Sequence, residues 1–344
     1  MPRSLRCAVV GSGGMAHARA THLSQLPDCA VTVVSSRNSL TGPPLATRFD
    51  AAFVPDWADA VARDEVDAVC VATHNDSHAA IALAALEAGK HVLVEYPLAT
   101  DLGDADRLIE RASAAGLALH VGHDQALVGW HVGIKLAAAT MGQLRAVNSV
   151  LATPTRGGGR SVWRNRVLSG PPFMVGIAYL YHLLDLFGPV NWVEGTSEYD
   201  GLDESGYYRS STSTMTACFE SGGIAQMLYI RGFAVPRDEQ TQSMMFSRGF
   251  LSYRGYVSGS QTNSGHLTSV TSAGAQRLGF PPVSLAQASR QNTEWFVQRA
   301  RGEVEDDGRL GLAREAVAVA LAAERAAEQS RRISLKPAAA IAAA

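Results

Sequence analysis

No Cys-x-x-Cys pair occurs among the four cysteines, Cys7, Cys29, Cys70 and Cys218. Their wide spacing excludes a zinc ribbon or a disulfide framework, and no metal site is expected. Cys7 and Cys70 fall inside apolar runs, as small buried hydrophobes of a reducing compartment do. No uncharged apolar run approaches the about 20 residues that a membrane-crossing helix needs, so no membrane partner is expected. No basic stripe exists either. Charged residues are 18% of the chain and the net charge is −2, so nucleic acid is not an expected partner. The opening M-P-R-S-L-R has no signal-peptide pattern, and the expected location is the cytoplasm. One further absence concerns chemistry: no Asp or Glu lies between Cys29 and Phe49.

What is present is a chain of 344 residues, 47% of them hydrophobic, long enough for two domains with separate cores. The first part alternates short β-branched runs with helical stretches. Strands are expected at 5–10, 30–35, 67–72, 91–95 and 117–121, and helices at 14–26, 43–49, 57–63, 76–89 and 102–115. Runs such as A-V-T-V-V and H-V-L-V suit strands buried on both faces, so this part reads as a parallel, doubly wound sheet with right-handed crossovers. Beyond residue 122 the texture changes. Helices are expected at 126–139 and 174–187. Alternating segments at 190–199, 210–219, 223–232, 240–247 and 250–256 suit a large, open, mostly antiparallel sheet. Helices return at 284–302 and 308–331. The expected fold is therefore α/β, with an N-terminal doubly wound Rossmann domain at 1–122 and a C-terminal α+β domain at 123–336. The glycine-rich 155–160 is expected to form a loop able to approach a ligand, and 337–344 a flexible tail.

The first strand runs into G-S-G-G-M-A, where Gly11, Gly13 and Ala16 fit the dinucleotide pattern G-x-G-x-x-G/A. Gly11 suits the tight turn, Gly13 the approach of a pyrophosphate, and Ala16 close packing of helix on strand. Gly14 and Met15 open the helix beside them. The second strand ends in Ser35, Ser36 and Arg37, where an NAD-preferring site would carry an acid. Hydroxyls and a guanidinium suit a 2′-phosphate. NADP(H) is therefore the preferred expected cofactor, with NAD(H) possible.

With these residues in view, the chain is identified as resembling the Gfo/Idh/MocA oxidoreductases. The resemblance rests on the glycine turn, A-T-H-N-D-S-H (72–78), A-L-E-A-G-K-H-V-L-V-E-Y-P-L-A (85–99) and V-G-H (121–123). It continues through W-R (163–164), Y-H-L-L-D-L-F-G (181–188) and the final helix. It implies a nicotinamide enzyme acting on a small molecule, a last helix at 308–331 that packs back toward the first domain, and a homodimer or homotetramer formed through the second-domain sheet. That family usually reads Glu-Lys-Pro where this chain reads Glu95-Tyr96-Pro97. It also commonly carries an Asp four residues before the equivalent of His182, a position held here by Ala178.

A tyrosine is a poor base at neutral pH and an adequate proton donor, so the substitution favours reduction over oxidation. Glu-Tyr-Pro also resembles the biliverdin reductases, as does H-V-G-H-D-Q-A-L-V-G-W-H (120–131). Two departures stand against that closer likeness: Gly122 in place of a glutamate and His182 in place of an arginine or apolar residue. Three functions are carried forward. The first is a reductase passing hydride from NADPH to a conjugated C=C, C=N or C=O group. The second is a sugar or cyclitol dehydrogenase with His182 as base. The third is a nicotinamide-binding sensor without turnover.

Candidate catalytic residues are Tyr96, His182 and His123. Tyr96 is either a proton donor or a packing residue under the nicotinamide. His182 stands three residues before Asp185 on a helix, a spacing that allows a bonded pair. The resemblance implies cofactor contacts from Thr73, His74, Asn75, His78, Glu95 and Tyr96. Trp163, Arg164, Tyr179 and His182 are candidate substrate contacts, with Arg164 able to grip a carboxylate or to serve as a surface cation.

Overall fold

The computed structural model describes residues 4–154, 160–233, 238–256 and 265–335. Of the expected loop at 155–160, residues 155–159 lie outside the described residues, as does the tail at 337–344. The chain divides into two compact units. One contains the residues up to Asp124 together with Ser289–Arg314; the other contains Gln125–Ala288 and the chain from Glu315 onward. A single boundary at 122/123 thus leaves out a return of the chain: residues 289–314 complete the first unit's core.

The first unit follows the expected alternation: β1 (Leu5–Val10), α1 (Gly14–Ser24), β2 (Cys29–Ser35), α2 (Gly42–Arg48), β3 (Ala52–Val54), α3 (Trp57–Val61), β4 (Ala68–Val71), α4 (His78–Glu87), β5 (His91–Val94), α5 (Leu102–Ala115) and β6 (Leu119–Val121). The six strands are all parallel, in the order β3-β2-β1-β4-β5-β6. All four residues of β4 are buried, which is why its sequence is an unbroken apolar run instead of an alternation. Each such valine contributes about 1.5–3 kcal/mol on burial. The order reverses between β1 and β4, the switch point at which doubly wound sheets bind ligands. Register aligns Ser35, Val10, Val71, Val94 and Val121 across five strands. Gly11, Glu95 and Gly122 are therefore the next residues along one carboxyl edge.

In the second unit the elements are α6 (Gly129–Ala138), β7 (Leu144–Pro154), two short turns α7 (Arg166–Ser169) and α8 (Pro172–Val175), α9 (Ile177–Phe187), β8 (Val190–Asp200), β9 (Ser210–Phe219), β10 (Ile224–Phe233), β11 (Glu239–Phe246), β12 (Gly249–Tyr256), β13 (His266–Thr271) and β14 (Gly274–Leu278). Helix α10 (Leu285–Ala300) leads into the first unit's returning segment. Helix α11 (Arg309–Gln329) and β15 (Ile333–Ser334) follow. The nine strands run β14-β13-β12-β11-β7-β10-β9-β8-β15. Only β7 and β10 pair in parallel, so the sheet is mixed but mostly antiparallel.

Four strands of this sheet, β7, β13, β14 and β15, escape the sequence pattern, as does β3 in the first unit. Strand β7 does so because one of its inward positions is Ser149, 2% exposed, which breaks the apolar alternation. Among the described residues no helix is long and apolar enough to cross a membrane, and no group of three or more metal-ligating side chains is present.

Candidate active site

The glycine turn is fixed by backbone geometry. Gly11 has φ +126°, and a Cβ on it would stand 2.2 Å from the Ala72 carbonyl oxygen. Its N–H donates to the Ser35 carbonyl at 2.8 Å. Gly13 and Gly14 differ: a Cβ on either would meet nothing within 4 Å. Both are exposed, as is Met15, while Ala16 is buried under the helix. Gly13 caps α1 with no side-chain bond, and the first turn carries no acid. An 11-residue helix with bare N–H groups and open space at its start fits a dinucleotide pyrophosphate.

The second strand's end supplies hydroxyls. Ser12 Oγ lies 2.7 Å from both Ser36 Oγ and Thr41 Oγ1, and Ser12 and Thr41 were not among the expected contacts. Ser35 departs from expectation, because its side chain is 1% exposed and only its carbonyl joins the turn. Arg37 is exposed and makes no ion pair among the described residues. The set fits a 2′-phosphate, with Arg37 as the exposed cation.

The Asn75–Ser77 turn and α4 place His78 beneath the Tyr96-Pro97 corner, where the peptide bond is cis. His78 is 1% exposed. Its Nδ1–H donates to the Pro97 carbonyl at 2.8 Å, and Nε2 stands 3.4 Å from the Thr73 carbonyl. Burial holds this imidazole below its ordinary pKa and therefore neutral. The expected cofactor contact by His78 gives way to a bracing role, since both ring nitrogens face backbone carbonyls. Asn75 is buried, His74 is exposed and Thr73 accepts from Ser77 at 2.8 Å.

Tyr96, half-buried, stacks on His123 with ring centroids 5.4 Å apart and an interplanar angle of 14°. Thus two of the three candidate catalytic residues come together at the ends of β5 and β6. Burial, with a small contribution from His120, pushes His123 down to about 3. Burial and the Arg299 charge do the same to His120. Both are neutral at pH 7, and each takes up a proton on unfolding between pH 6.5 and about 3. Their contribution to stability is present above 6.5 and is lost as pH falls toward 3. Urea midpoints measured from pH 7 to 4 should therefore decline, this pair contributing up to two protons to the slope. A flat profile would refute the buried, neutral state of this pair.

Glu95 is turned inward, which overturns the expected ribose contact. Its carboxylate accepts from Arg19 Nε at 2.6 Å. Arg19 is 0% exposed. Its Nη1 donates to the Ser289 carbonyl and Thr293 Oγ1, both at 2.9 Å, and its Nη2 to Asp124 Oδ1 at 2.9 Å and Oδ2 at 3.1 Å. All five guanidinium donors are thus used. Burial raises the Glu95 pKa against the pull of Arg19. The clamp joins α1 to the residue before Tyr96 and to the residue after His123. It also explains Gly122, where a Cβ would stand 2.5 Å from Arg19 Nη2 and 2.8 Å from Glu95 Oε2. A glutamate there has no room.

In the second unit His182 is 0% exposed and does not pair with Asp185. Asp185 accepts instead from His131 Nε2 at 2.6 Å and Lys135 Nζ at 2.8 Å. His182 shares a short Nδ1–Nδ1 contact with His131, and its Nε2 lies 3.0 Å from the Gln242 amide oxygen. The i, i+3 spacing allowed a pair that a histidine on another helix took. Burial and the neighbouring His131 hold His182 well below its ordinary pKa. With both nitrogens engaged by this unit's own side chains, His182 is a poor base. Trp130 packs its ring 4.8 Å from His182 and 4.9 Å from Tyr253. Of the other expected substrate contacts, Trp163 is 46% exposed and Tyr179 is 8% exposed. Arg164 donates from Nη1 to the Arg209 carbonyl at 2.7 Å. Tyr179 shares α9 with His182, while Trp163 and Arg164 lie in the short turn before α7.

Residues 5–123 match a family model described as an oxidoreductase family with an NAD-binding Rossmann fold, GFO_IDH_MocA. Among curated proteins, the chain is 31% identical over 188 residues to dTDP-3,4-didehydro-2,6-dideoxy-alpha-D-glucose 3-reductase of Streptomyces antibioticus, covering 54% of this chain and 57% of that protein. It is 32% identical over 140 residues to biliverdin reductase A of Mus musculus, covering 41% and 44%. The chain thus spans about half the length of these curated relatives. Among solved structures, biliverdin reductase from Synechocystis sp. PCC 6803, in complex with biliverdin and NADP+, superposes with TM-score 0.84 at 24% identity, over 94% of this chain and 99% of that one. At that identity the likeness is one of fold.

Proposed function

From a chain whose first domain belongs to the Gfo/Idh/MocA oxidoreductase family, we infer a reductase that uses NADPH on a conjugated C=C, C=N or C=O group of a small molecule. The observation that carries this is Tyr96. It holds a phenol at the carboxyl edge of the sheet, stacked on a neutral His123, where the family's usual lysine would be a base. The bound nicotinamide would supply the hydride. The residues of this chain hold it through the open Gly13–Gly14 helix start and the Ser12, Ser36 and Thr41 hydroxyls. Tyr96 then delivers the proton to the atom left negative by hydride addition. Buried His78 fixes the corner from which the phenol projects. The engaged nitrogens of His182 speak against the dehydrogenase alternative. Reduction of a ketosugar stays within this reading, because one relative is a sugar 3-reductase.

The direct test is absorbance at the reduced-nicotinamide band. Purified protein would be incubated with NADPH and biliverdin, a cyclic imine or a ketosugar, and separately with NADP+ and sugars or cyclitols. NADPH consumption with at least one acceptor is expected. Reduction of NADP+ by a sugar without acceptor turnover would overturn the reductase, and tight cofactor binding with no turnover in any mixture would favour the sensor. Arg37→Ala should lower the NADPH-over-NADH preference in kcat/KM by about tenfold to a hundredfold, the worth of a charge-assisted bond to a phosphate. An unchanged ratio would remove Arg37 from the cofactor site. We further propose that the second-domain sheet pairs copies of this chain, which sedimentation would report.

A further inference from the structure

Cys7 and Cys29 are 22 positions apart in the chain, yet their sulfurs lie 3.7 Å apart. Parallel register explains the meeting. Strands β1 and β2 set Leu5 opposite Cys29 and Cys7 opposite Val31, so both sulfurs fall on one face of the sheet, on a diagonal. Their separation is about 1.7 Å longer than a disulfide bond. The ladder slips by one residue directly after Cys7. The remaining approach therefore falls where the pairing is already irregular.

The two thiols are not equivalent. Cys7 is 1% exposed, whereas Cys29 is partly exposed at the start of β2. Just before it, Pro27 and Asp28 are held by Arg301, whose Nη2 donates to the Pro27 carbonyl at 3.0 Å and to the Asp28 carbonyl at 2.7 Å. The Cys7 S–H donates to Cys29. This bond, followed by the Arg301 charge and the Ala30 N–H, lowers the Cys29 pKa against burial. The same bond, with burial, raises Cys7. A sulfur with thiolate character, some solvent access, a cation and a second thiol beside it has what reduction of a peroxide requires. Cys70 lacks these, and burial pushes its thiol up to about 12.

We propose that Cys29 and Cys7 form a peroxide-oxidised thiol pair, with Cys29 as the attacking sulfur and Cys7 as the resolving one. The Cys29 thiolate attacks one peroxide oxygen. An S–O bond forms, the O–O bond breaks, and the other oxygen leaves as hydroxide, which takes a proton to become water. Cys29 is then a sulfenic acid and the peroxide is reduced. The Cys7 sulfur next attacks the Cys29 sulfur. An S–S bond forms, the S–O bond breaks, and the hydroxyl leaves as water with the Cys7 proton. Oxidation of Cys29 also removes the bond that is the largest cause of the raised Cys7 pKa. The disulfide ties together the amino ends of β1 and β2, the strands whose carboxyl ends lead into Gly11 and Ser36. None of this depends on the reductase function above.

The test uses the full-length chain, reduced, freed of reductant and treated with excess hydrogen peroxide at pH 7. Remaining thiols are alkylated and the peptides mapped by mass spectrometry. The expected product is a linked Cys7–Cys29 peptide pair that dithiothreitol reopens. Cys29→Ser should lose the link and leave Cys7 reduced. Cys7→Ser should leave a sulfenic acid on Cys29 that dimedone captures. Because both substitutions touch the core, iodoacetamide labelling of the reduced wild-type protein against pH runs in parallel. Cys29 should label at least about tenfold faster than Cys70 at pH 7 and reach half its plateau below a free thiol's value of about 8.5. Arg301→Gln should raise that midpoint. Absence of the link in the folded protein, a link formed only after unfolding in urea, or a Cys29 midpoint at or above that of a free thiol overturns the pair.

Discussion

Tyr96→Phe is expected to lower kcat by about 10²- to 10⁴-fold, the usual worth of a positioned proton donor, with NADPH affinity unchanged. Phenylalanine keeps the ring and its 5.4 Å stack on His123 and removes only the hydroxyl. A change in cofactor binding would therefore not be confused with loss of the proton. The neighbouring imidazole cannot substitute at neutral pH, because His123 is held at about 3 and carries no dissociable excess proton. For the same reason the pH–rate profile should show no inflexion from His123 between pH 5 and 8. The comparison to make is steady-state kinetics of wild type and variant on the acceptor found above. A variant within threefold of wild type, an ample margin against the about hundredfold minimum expected, would reduce Tyr96 to packing under the ring.

Arg19→Met is expected to cost about 3–5 kcal/mol in the unfolding of the first unit, the range for removing one partner of a buried ion pair. The loss is larger than one contact suggests because five donors disappear together and two carboxylates, Glu95 and Asp124, stay buried without their cation. The sign with pH follows from burial. In wild type the folded-state pKa of Glu95 is already raised. An acid with a raised folded pKa favours the folded state while protonated and loses that advantage as pH rises through the folded value. Removing Arg19 takes away the charge that holds Glu95 down and raises it further, so the variant should be least impaired near pH 5 and most impaired at neutral pH. Urea titration of the full chain at both values reads this directly. Arg19→Lys, with three donors instead of five, should recover only part of the loss. Equal midpoints for wild type and Arg19→Met would mean that the guanidinium holds nothing.

Much of the cofactor half was legible in the sequence because its determinants are local. The Gly11 turn needs only a positive φ and a close carbonyl, and the β-branched runs of β1, β4 and β5 announce burial on both faces. What stayed hidden depends on distant partners. Arg19 lies in A-H-A-R-A-T-H, which looks like an ordinary helical face, and its partners lie 76, 105, 270 and 274 positions away. His131 is likewise 51 and 54 positions from His182 and Asp185. Helical periodicity tells which face a residue occupies, not what meets it there. Gly122 is instructive in another way. Its sequence shows a missing carboxylate, whereas the structure shows that Arg19 and Glu95 already fill the space a side chain would use.

That filled space has an evolutionary consequence. Positions 19, 95, 122 and 124 should be coupled, since Arg19, Glu95 and Asp124 form one buried ion cluster whose atoms fill the space a side chain at 122 would use. A single-site scan would score all four as intolerant. Yet a buried ion cluster replaced as a whole by packed apolar side chains is often neutral or stabilising. A combinatorial library over these four sites should therefore contain folded sequences that no path of individually accepted substitutions reaches.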